Sequence, residues 1–204
     1  GLFHSSKLAL KSTQRRGPLE EAPCMFERVY FSSPKSRVQG TVVKKTRQNL
    51  GELLGQKVAR NRPLMSQYDA VCAVPETGLD AAFGLSDYLK LPLINGILKV
   101  EKSGRTFILP NKKRGSALKH KFTINEDEVK DRKLLLVDDS LVRGATLKCL
   151  ISDLIKNGVK EVSLAFSCPP IQFGCFYGID FPEKKELLAY QKSHEEMAIF
   201  LGVK

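Results

Sequence analysis

The stretch that most constrains the fold is a short apolar run that ends in two acids and leads into a glycine turn. Residues 134–137 read Leu-Leu-Leu-Val, and Asp138, Asp139 and Ser140 follow them directly. An apolar run this short, bounded by charge, is typical of a strand buried on both faces of a parallel sheet. After Gly144, apolar residues recur on one helical face: Leu147, Leu150, Ile151, Leu154 and Ile155.

A second strand pattern follows that helix. Gly158 stands where a helix C′ residue is expected, and residues 161–166 form the next strand pattern. Strand, helix and strand within residues 133–166 make a βαβ unit, which predicts an α/β fold with a mainly parallel sheet flanked by helices. Elsewhere the patterns predict strands over residues 24–31, 68–74 and 92–98, and helices from Leu50 to Val58 and from Leu79 to Leu89.

Composition narrows the class of protein. With 204 residues, 42% of them hydrophobic and 27% charged, the chain is long enough for a buried core and ordinary for a soluble protein, which excludes disorder, collagen and a disulfide scaffold. No apolar run approaches about 18 residues, so no membrane partner is expected. The five cysteines form no CxxC pair, so no complete zinc site is expected. No signal peptide is visible, which favours reduced thiols and a cytoplasmic location.

The charge is strongly positive. A net charge of +11 suits a nucleic acid, an anionic membrane surface or a phosphate-rich small molecule as partner, or simply a soluble surface. Eight Lys and Arg residues fall within residues 99–121, against the single acid Glu101. Residues 99–133 are poor in apolar side chains, which predicts a long mobile loop that could close over an anion as a basic lid.

The turn after residue 137 has the chemistry of a phosphate site. Ligands of open α/β sheets bind at the carboxyl edge of the strands, and a turn that opens a helix offers unpaired N–H groups and a positive dipole end. Ser140 and Thr146 add hydroxyl donors. Asp138 and Asp139 suit sugar hydroxyls or Mg²⁺ better than a phosphate. A strand followed by an Asp N-cap is the plain alternative.

The stretch from Leu134 to Thr146 resembles the loop of type I phosphoribosyltransferases that binds 5-phosphoribosyl-1-pyrophosphate (PRPP). Its Val-Arg-Gly ending resembles the glutamine PRPP amidotransferase family. Other segments resemble further parts of that family in the same order along the chain. Residues 23–36 resemble the start of its transferase domain, and residues 46–51 resemble the start of the helix that follows. Residues 74–78 resemble its pyrophosphate loop, residues 104–108 and 114–122 its flexible catalytic loop, and residues 168–171 and 175–180 its late strand and the small hood subdomain. This implies a type I phosphoribosyltransferase fold with a small hood over residues 23–204, after a linker or surface-draped segment over residues 1–22.

The resemblance also implies an activity and a set of site residues. The family catalyses the first committed step of purine synthesis, in which ammonia displaces pyrophosphate from C1 of PRPP, with Mg²⁺, to give phosphoribosylamine. The implied metal-site residues are Thr77, Asp138 and Asp139. The implied catalytic residues are Arg105, Arg114, Lys119 and Lys121. The implied PRPP-binding residues are Asp138, Asp139, Ser140, Val142, Arg143, Gly144, Ala145, Thr146, Pro75, Glu76, Thr77 and Lys99.

The chain departs from the family at several points. The Cys-initiated glutaminase domain of the family is absent from this sequence, so we expect ammonia to come from such a domain in cis or in trans. Val100, Glu101 and Lys102 replace Asn-Arg-Tyr, and Ala145 replaces a polar residue. Cys24 and Cys175 match two of four [4Fe–4S] ligands, so a cluster is expected only in a longer parent chain.

Other functional classes stay open at this point. A non-catalytic PRPP-sensing or nucleic-acid-binding regulator would also retain the PRPP loop, although no helix-turn-helix pattern is visible and nucleic acid is not the expected partner. An inactive truncated relative is a further alternative. A transferase acting on a free base fits less well, because residues 24–36 and 175–180 resemble the amidotransferase branch in particular. The resemblance further implies a homo-oligomer.

Overall fold

A computed structural model describes the strands within residues 2–13 and the chain over residues 24–60, 67–100, 121–175 and 183–203. The strands are β1 (Leu2–Ser6), β2 (Ala9–Thr13), β3 (Arg37–Val38), β4 (Thr41–Val42), β5 (Ala70–Ala73), β6 (Leu93–Ile94), β7 (Ile97–Lys99), β8 (Phe122–Ile124), β9 (Lys133–Asp138) and β10 (Glu161–Phe166). The α-helices are α1 (Val43–Arg60), α2 (Leu79–Leu89), α3 (Glu126–Val129), α4 (Ala145–Lys156) and α5 (His194–Leu201). A π-helical turn covers Glu27–Phe31, and a 3₁₀ turn covers Lys184–Glu186.

The central sheet has four parallel strands in the order β10-β9-β5-β6. The register sets Val137 of β9 opposite Ala73 of β5, and Asp138 opposite Phe166 of β10. β9 is buried because it lies between two strands and its faces are covered by different helices. Leu134 and Leu136 face a core that includes α4, whereas Leu135 and Val137 face a core that includes α2. This two-sided burial confirms the α/β architecture predicted from the sequence.

Several predicted elements are confirmed. β9, α4 and β10 form the predicted βαβ unit, and Gly158 follows the C-cap of α4 with a φ of 86°. α2 begins and ends as predicted, and α1 includes the predicted helix but begins earlier, at Val43. No helix within the described ranges is long and apolar enough to cross a membrane.

Three expectations need correction. The strand predicted over residues 24–31 is wrong, since helical turns occupy this segment. The strand predicted over residues 92–98 is two short strands, β6 and β7, separated by Asn95 and Gly96. The loop predicted over residues 99–133 is not wholly irregular, because β8 pairs with β7 and α3 follows.

The segment predicted as a linker or surface-draped stretch, residues 1–22, contains an antiparallel strand pair. β1 and β2 pair from Leu2 with Thr13 to Ser6 with Ala9. The sequence patterns did not predict these two strands.

The basic loop itself falls largely outside the described structure. The structure describes Lys99, Val100 and Lys121 at its two ends, and residues 101–120 lie outside the described residues. The antiparallel pairing of Lys99 with Phe122 brings these two ends together. Lys121 and Phe122 line the cavity described below, which opens at the carboxyl edge of the central sheet. The ends of the segment predicted to form a lid therefore lie next to the predicted site.

The close contact between α1 and α2 yields a stability prediction. A Cβ added to Gly84 would lie 2.0 Å from the backbone oxygen of Gln48, and one added to Gly51 would lie 1.9 Å from that of Ala81. In an open helix, Gly→Ala stabilises by about 0.5–1 kcal/mol, but here the backbones must separate. We expect Gly84→Ala to lower the free energy of urea unfolding by about 1–3 kcal/mol. The exposed Asn49→Ala on α1 is the control and should not destabilise; a stable Gly84→Ala protein would contradict this packing.

Candidate functional site

A cavity of about 640 Å³ opens at the carboxyl edge of the central sheet. Its floor is the turn from Asp138 to Leu147, which connects β9 to α4, and the residues after β5 form one side. An aromatic group, Lys121 and Phe122 complete the lining. The cavity therefore gathers the predicted PRPP loop, part of the predicted pyrophosphate loop and one cation of the predicted lid at the sheet edge where α/β proteins bind ligands.

The two acids at the end of β9 have different surroundings. Asp139 is buried, and its carboxylate accepts hydrogen bonds from the hydroxyls of Thr77 and Ser140, both at 2.6 Å. Asp138 is half-buried and accepts a 2.9 Å hydrogen bond from the N–H of Asp139. Thr77 thus ties the turn after β5 to the turn after β9. Asp139 is held in place by its neighbours, whereas Asp138 is the more exposed of the two carboxyl groups.

Burial and the charge of Asp139 both affect the ionisation of Asp138. Burial raises the pKa of Asp138 to about 8, and the charge of Asp139 adds to this effect, while Lys121 opposes it. Two adjacent carboxyl groups held partly out of water disfavour a second negative charge. A ligand that brings hydroxyl donors or a divalent cation would stabilise that charge. The acid pair therefore fits a sugar diol or Mg²⁺.

The turn between Ser140 and Thr146 presents main-chain donors. Gly144 caps α4 with a φ of 75°, a left-handed conformation that favours glycine. Within the described residues, the N–H groups of residues 140–147 donate no hydrogen bond to another protein group. These donors lie at the N-terminus of a twelve-residue helix, where the dipole favours an anion. The turn therefore has the N–H donors that a bound anion requires, and the N–H of Ala145 is among them although its side chain lacks a hydroxyl.

Later segments of the chain bond to this turn and to the acids before it. The N–H of Leu188 donates to the carbonyl of Val142 at 2.8 Å, and Arg143 forms a 2.8 Å ion pair with Glu186. The N–H of Cys168 donates to the carbonyl of Asp139 at 2.8 Å. These bonds occupy the carbonyls of the turn and leave its N–H groups for a ligand. Arg143 is therefore engaged with Glu186, although it also lines the cavity.

The predicted pyrophosphate loop follows β5. The N–H of Val74 donates to the carbonyl of Val137 at 2.8 Å, and the peptide bond between Pro75 and Glu76 is cis. A Cβ on Gly78 would lie 2.5 Å from the carbonyl oxygen of Val137, so only glycine fits there. Pro75 and Thr77 line the cavity.

The basic residues predicted to belong to the site differ in where they lie relative to the cavity. Lys99 and Glu76 form a 2.9 Å ion pair and are not among the residues that line the cavity. Lys121 lines the cavity, and its ammonium lies 5.4 Å from the ring centroid of Phe122. Arg105, Arg114 and Lys119 lie outside the described residues. The described structure thus places one of the four predicted catalytic residues at the cavity.

An aromatic wall, formed by Phe26, Tyr30 and Phe31, was missed as part of the site. The three ring centroids lie 5.2–5.5 Å apart, and all three rings line the cavity. Tyr30 and Phe31 remain about half exposed, at 47% and 48%. Phe26 and Tyr30 are four residues apart, the helical spacing that could have revealed them. The alternation of residues 24–31 favoured a strand instead, which would place neighbouring rings on opposite faces.

The metal sites implied by the resemblance differ in how they fit the described residues. No group of three or more His, Cys, Asp or Glu side chains in the described part of the chain could hold a metal ion. Mg²⁺ usually binds through one or two carboxylates together with substrate phosphates and water, so Asp138 and Asp139 fit a substrate-borne Mg²⁺. Cys24 is exposed and Cys175 is half-buried, and a cluster would need further thiolates.

The cavity and its helix-capping turn on a parallel sheet define a type I phosphoribosyltransferase fold. Among solved structures, the chain is similar to the allosteric regulatory enzyme of purine biosynthesis, and to glutamine PRPP amidotransferase from B. subtilis complexed with ADP and GMP. Each match has a TM-score of 0.81 and 33% identity, and covers 97% of this chain and 42% of the other. No protein-family model matches the chain.

Sequence relatives narrow this class to one family. Amidophosphoribosyltransferases are 39% identical over 182 residues in Pasteurella multocida, 39% over 183 residues in Methanocaldococcus jannaschii and 38% over 181 residues in Escherichia coli. These matches cover 88–89% of this chain and 36–38% of the relatives. The chain is a relative of the amidophosphoribosyltransferases, as its motifs predicted, and it spans less than half of their length.

The pKa of Asp138 gives a pH-dependent stability prediction. An ordinary aspartate titrates near about 3.9, so the stability linked to protonated Asp138 is present below that pH and is lost as the pH rises through about 8. We expect Asp138→Asn to unfold at a higher urea concentration than the wild type at pH 9, and to differ little from it at pH 5. The exposed Asp127→Asn is the control. A gain that is the same at both pH values would contradict the buried acid pair.

Proposed function

We propose that this chain binds PRPP with Mg²⁺ and transfers the phosphoribosyl group to ammonia, giving 5-phosphoribosylamine for purine biosynthesis. The proposal rests on one observation: an acid pair and a turn that presents N–H donors lie side by side at the end of β9. Asp138 and Asp139 lie directly beside a turn, residues 140–147, whose N–H groups have no acceptor among the described residues. A sugar diol joined to a phosphate monoester needs both groups side by side.

The phosphate end of the substrate would bind in the turn that begins α4. The N–H groups of residues 140–146, including that of Ser140, would donate to the 5-phosphate oxygens, and Thr146 would add its hydroxyl, whereas the hydroxyl of Ser140 donates to Asp139. Gly144 is required because a Cβ there would lie 2.7 Å from Leu188 and the backbone φ is positive. The ribose hydroxyls would donate to Asp138 and Asp139, which keeps both carboxylates ionised without repelling the phosphate.

The pyrophosphate end would bind near the turn after β5. Mg²⁺, held by Asp138, Asp139 or Thr77 together with substrate oxygens, supplies charge neutralisation for the leaving group when bound. Pro75 and Thr77 of this turn line the cavity, and so does Lys121. Arg105, Arg114 and Lys119 belong to the basic segment between Lys99 and Phe122, which pair with each other, and Phe122 lines the cavity. Their role is to neutralise the departing pyrophosphate.

The reaction needs positioning more than covalent catalysis. The C1–O bond to pyrophosphate breaks, and its electron pair leaves with the pyrophosphate. The nitrogen lone pair of ammonia forms the new C1–N bond, after which nitrogen loses a proton to solvent. Cationic character develops on the ribose in between, and water that reaches C1 would compete with ammonia by hydrolysing PRPP. Phe26, Tyr30 and Phe31 present apolar rings at the cavity, which favours exclusion of water from this centre.

The proposal also concerns the source of ammonia and the oligomeric state. We propose that a glutaminase domain supplies ammonia in cis or in trans, that the chain works as a homo-oligomer, and that the site is cytoplasmic. The relatives' larger size supports an additional part, because this chain matches 36–38% of their length. A [4Fe–4S] cluster is proposed only for a longer parent chain, through Cys24 and Cys175 with two further cysteines.

Ligand binding can be tested by thermal protection. PRPP with Mg²⁺ at about 100 times its Kd should raise the unfolding temperature by about 5 to 10 °C, because it binds only the folded state. Asp139→Asn should abolish this rise, since an amide cannot replace the ionised acceptor between Thr77 and Ser140. The exposed Asp127→Asn should preserve the rise. Full protection of the Asp139→Asn protein would show that the ligand binds elsewhere.

Catalysis is tested by pyrophosphate release with ammonium chloride as the nitrogen donor. The wild type should release pyrophosphate only with PRPP and Mg²⁺, and Asp138→Asn should reduce kcat/KM about 10- to 100-fold through a lost charged contact. PRPP protection without any pyrophosphate release would contradict the enzymatic proposal. Such a result, together with salt-sensitive retention on duplex DNA, would favour a regulator instead.

A further inference from the structure

Arg47 of α1 is a buried arginine that bonds to the segment carrying the aromatic wall. Its side chain is 3% exposed, and burial lowers the pKa of its guanidinium while Asp80 and Asp139 oppose that effect. Burying a guanidinium costs free energy, and an apolar residue of similar volume often packs equally well in such a place. A contribution to packing is therefore not a sufficient explanation for an arginine here, and its specific contacts point to its role.

Arg47 donates two hydrogen bonds to a single segment, the π-helical turn and the residue that follows it. Its Nε donates to the carbonyl of Arg28, and its Nη2 donates to the carbonyl of Ser32, each at 2.9 Å. These carbonyls lie near the two ends of the π-helical turn Glu27–Phe31. A guanidinium holds two acceptors at fixed separation, which a lysine cannot do. Arg47 therefore clamps the turn that carries Tyr30 and Phe31.

The segment that Arg47 holds lies at the same cavity as the acid pair. The three rings of the aromatic wall line that cavity together with Asp139, whose carboxylate accepts hydrogen bonds from Thr77 and Ser140. Arg47 therefore holds one component of the cavity, the aromatic wall. The carboxylate of Asp139, which belongs to the predicted ribose site, is another component of the same cavity.

We propose that Arg47 is a positioning residue that holds the aromatic wall in register with Asp139 and thereby favours ammonia over water as the attacking nucleophile. This inference rests on the proposed function. Arg47 does not line the cavity and touches no reacting atom. Its effect is on the placement of the rings, so its loss changes which nucleophile reaches C1 more than it changes PRPP affinity.

The first test measures nucleophile choice in Arg47→Lys and Arg47→Met. The ratio of ammonia-dependent to water-dependent pyrophosphate release should fall about tenfold or more, the effect of one lost charged hydrogen bond. The Kd for PRPP should stay within about threefold. Added methylguanidinium should restore the ratio in Arg47→Ala. The control is Arg37→Met, because Arg37 also donates to a carbonyl, that of Gly40, but away from the cavity.

A second measurement does not depend on activity. Hydrogen exchange of the peptide that covers residues 26–32 should become about tenfold faster in Arg47→Lys, with no change in residues 133–138. Unchanged exchange, an unchanged nucleophile ratio, or equal losses in both reactions and in PRPP binding would each overturn the proposal. A wild type that binds PRPP but releases no pyrophosphate overturns the proposed function and the nucleophile claim, while the exchange result still decides whether Arg47 holds the turn.

Discussion

The rest of the site depends on the parallel pairing of β9 between β5 and β10. This pairing buries the Leu-Leu-Leu-Val run on both faces and ends β9 at the edge of the sheet. Asp138 and Asp139 must then emerge beside the turn after β5, where Thr77 bonds to Asp139. A one-residue slip in register would move Asp138 away from this edge and place each leucine against the wrong helix layer. The position of the acids is thus a consequence of core packing.

The cavity combines unsatisfied groups of opposite character. The turn that begins α4 has N–H groups without protein acceptors among the described residues, and beside it burial and the charge of Asp139 raise the pKa of Asp138. The carbonyls of Val142 and Asp139, by contrast, accept hydrogen bonds from the N–H groups of Leu188 and Cys168. A phosphorylated sugar would give the N–H groups an acceptor and the acid pair further hydroxyl donors. We therefore regard the free protein as preorganised for such a ligand rather than optimised for its own stability.

The sequence predicted the parts of the molecule whose signal is local. β9, α4 and β10 follow from apolar patterns within residues 133–166, and the residues from Asp138 to Thr146, predicted to bind PRPP, line the cavity. The aromatic wall could not be predicted in this way, because Arg47 holds its turn through bonds that span 15 and 19 residues. The pairing of β7 with β8 was missed for the same reason, since residues 101–120 separate the two partners.

The most direct test of the central claim, that the turn after β9 is a phosphate cradle beside a sugar-binding acid pair, uses a ligand without pyrophosphate. Ribose 5-phosphate can be titrated into ¹⁵N-labelled protein while amide shifts are followed by NMR. We predict saturable shifts of the amides of residues 140–146, and loss of those shifts in Asp139→Asn. Saturable binding that leaves these amides unmoved, or that shifts the amides of another surface instead, would contradict the account.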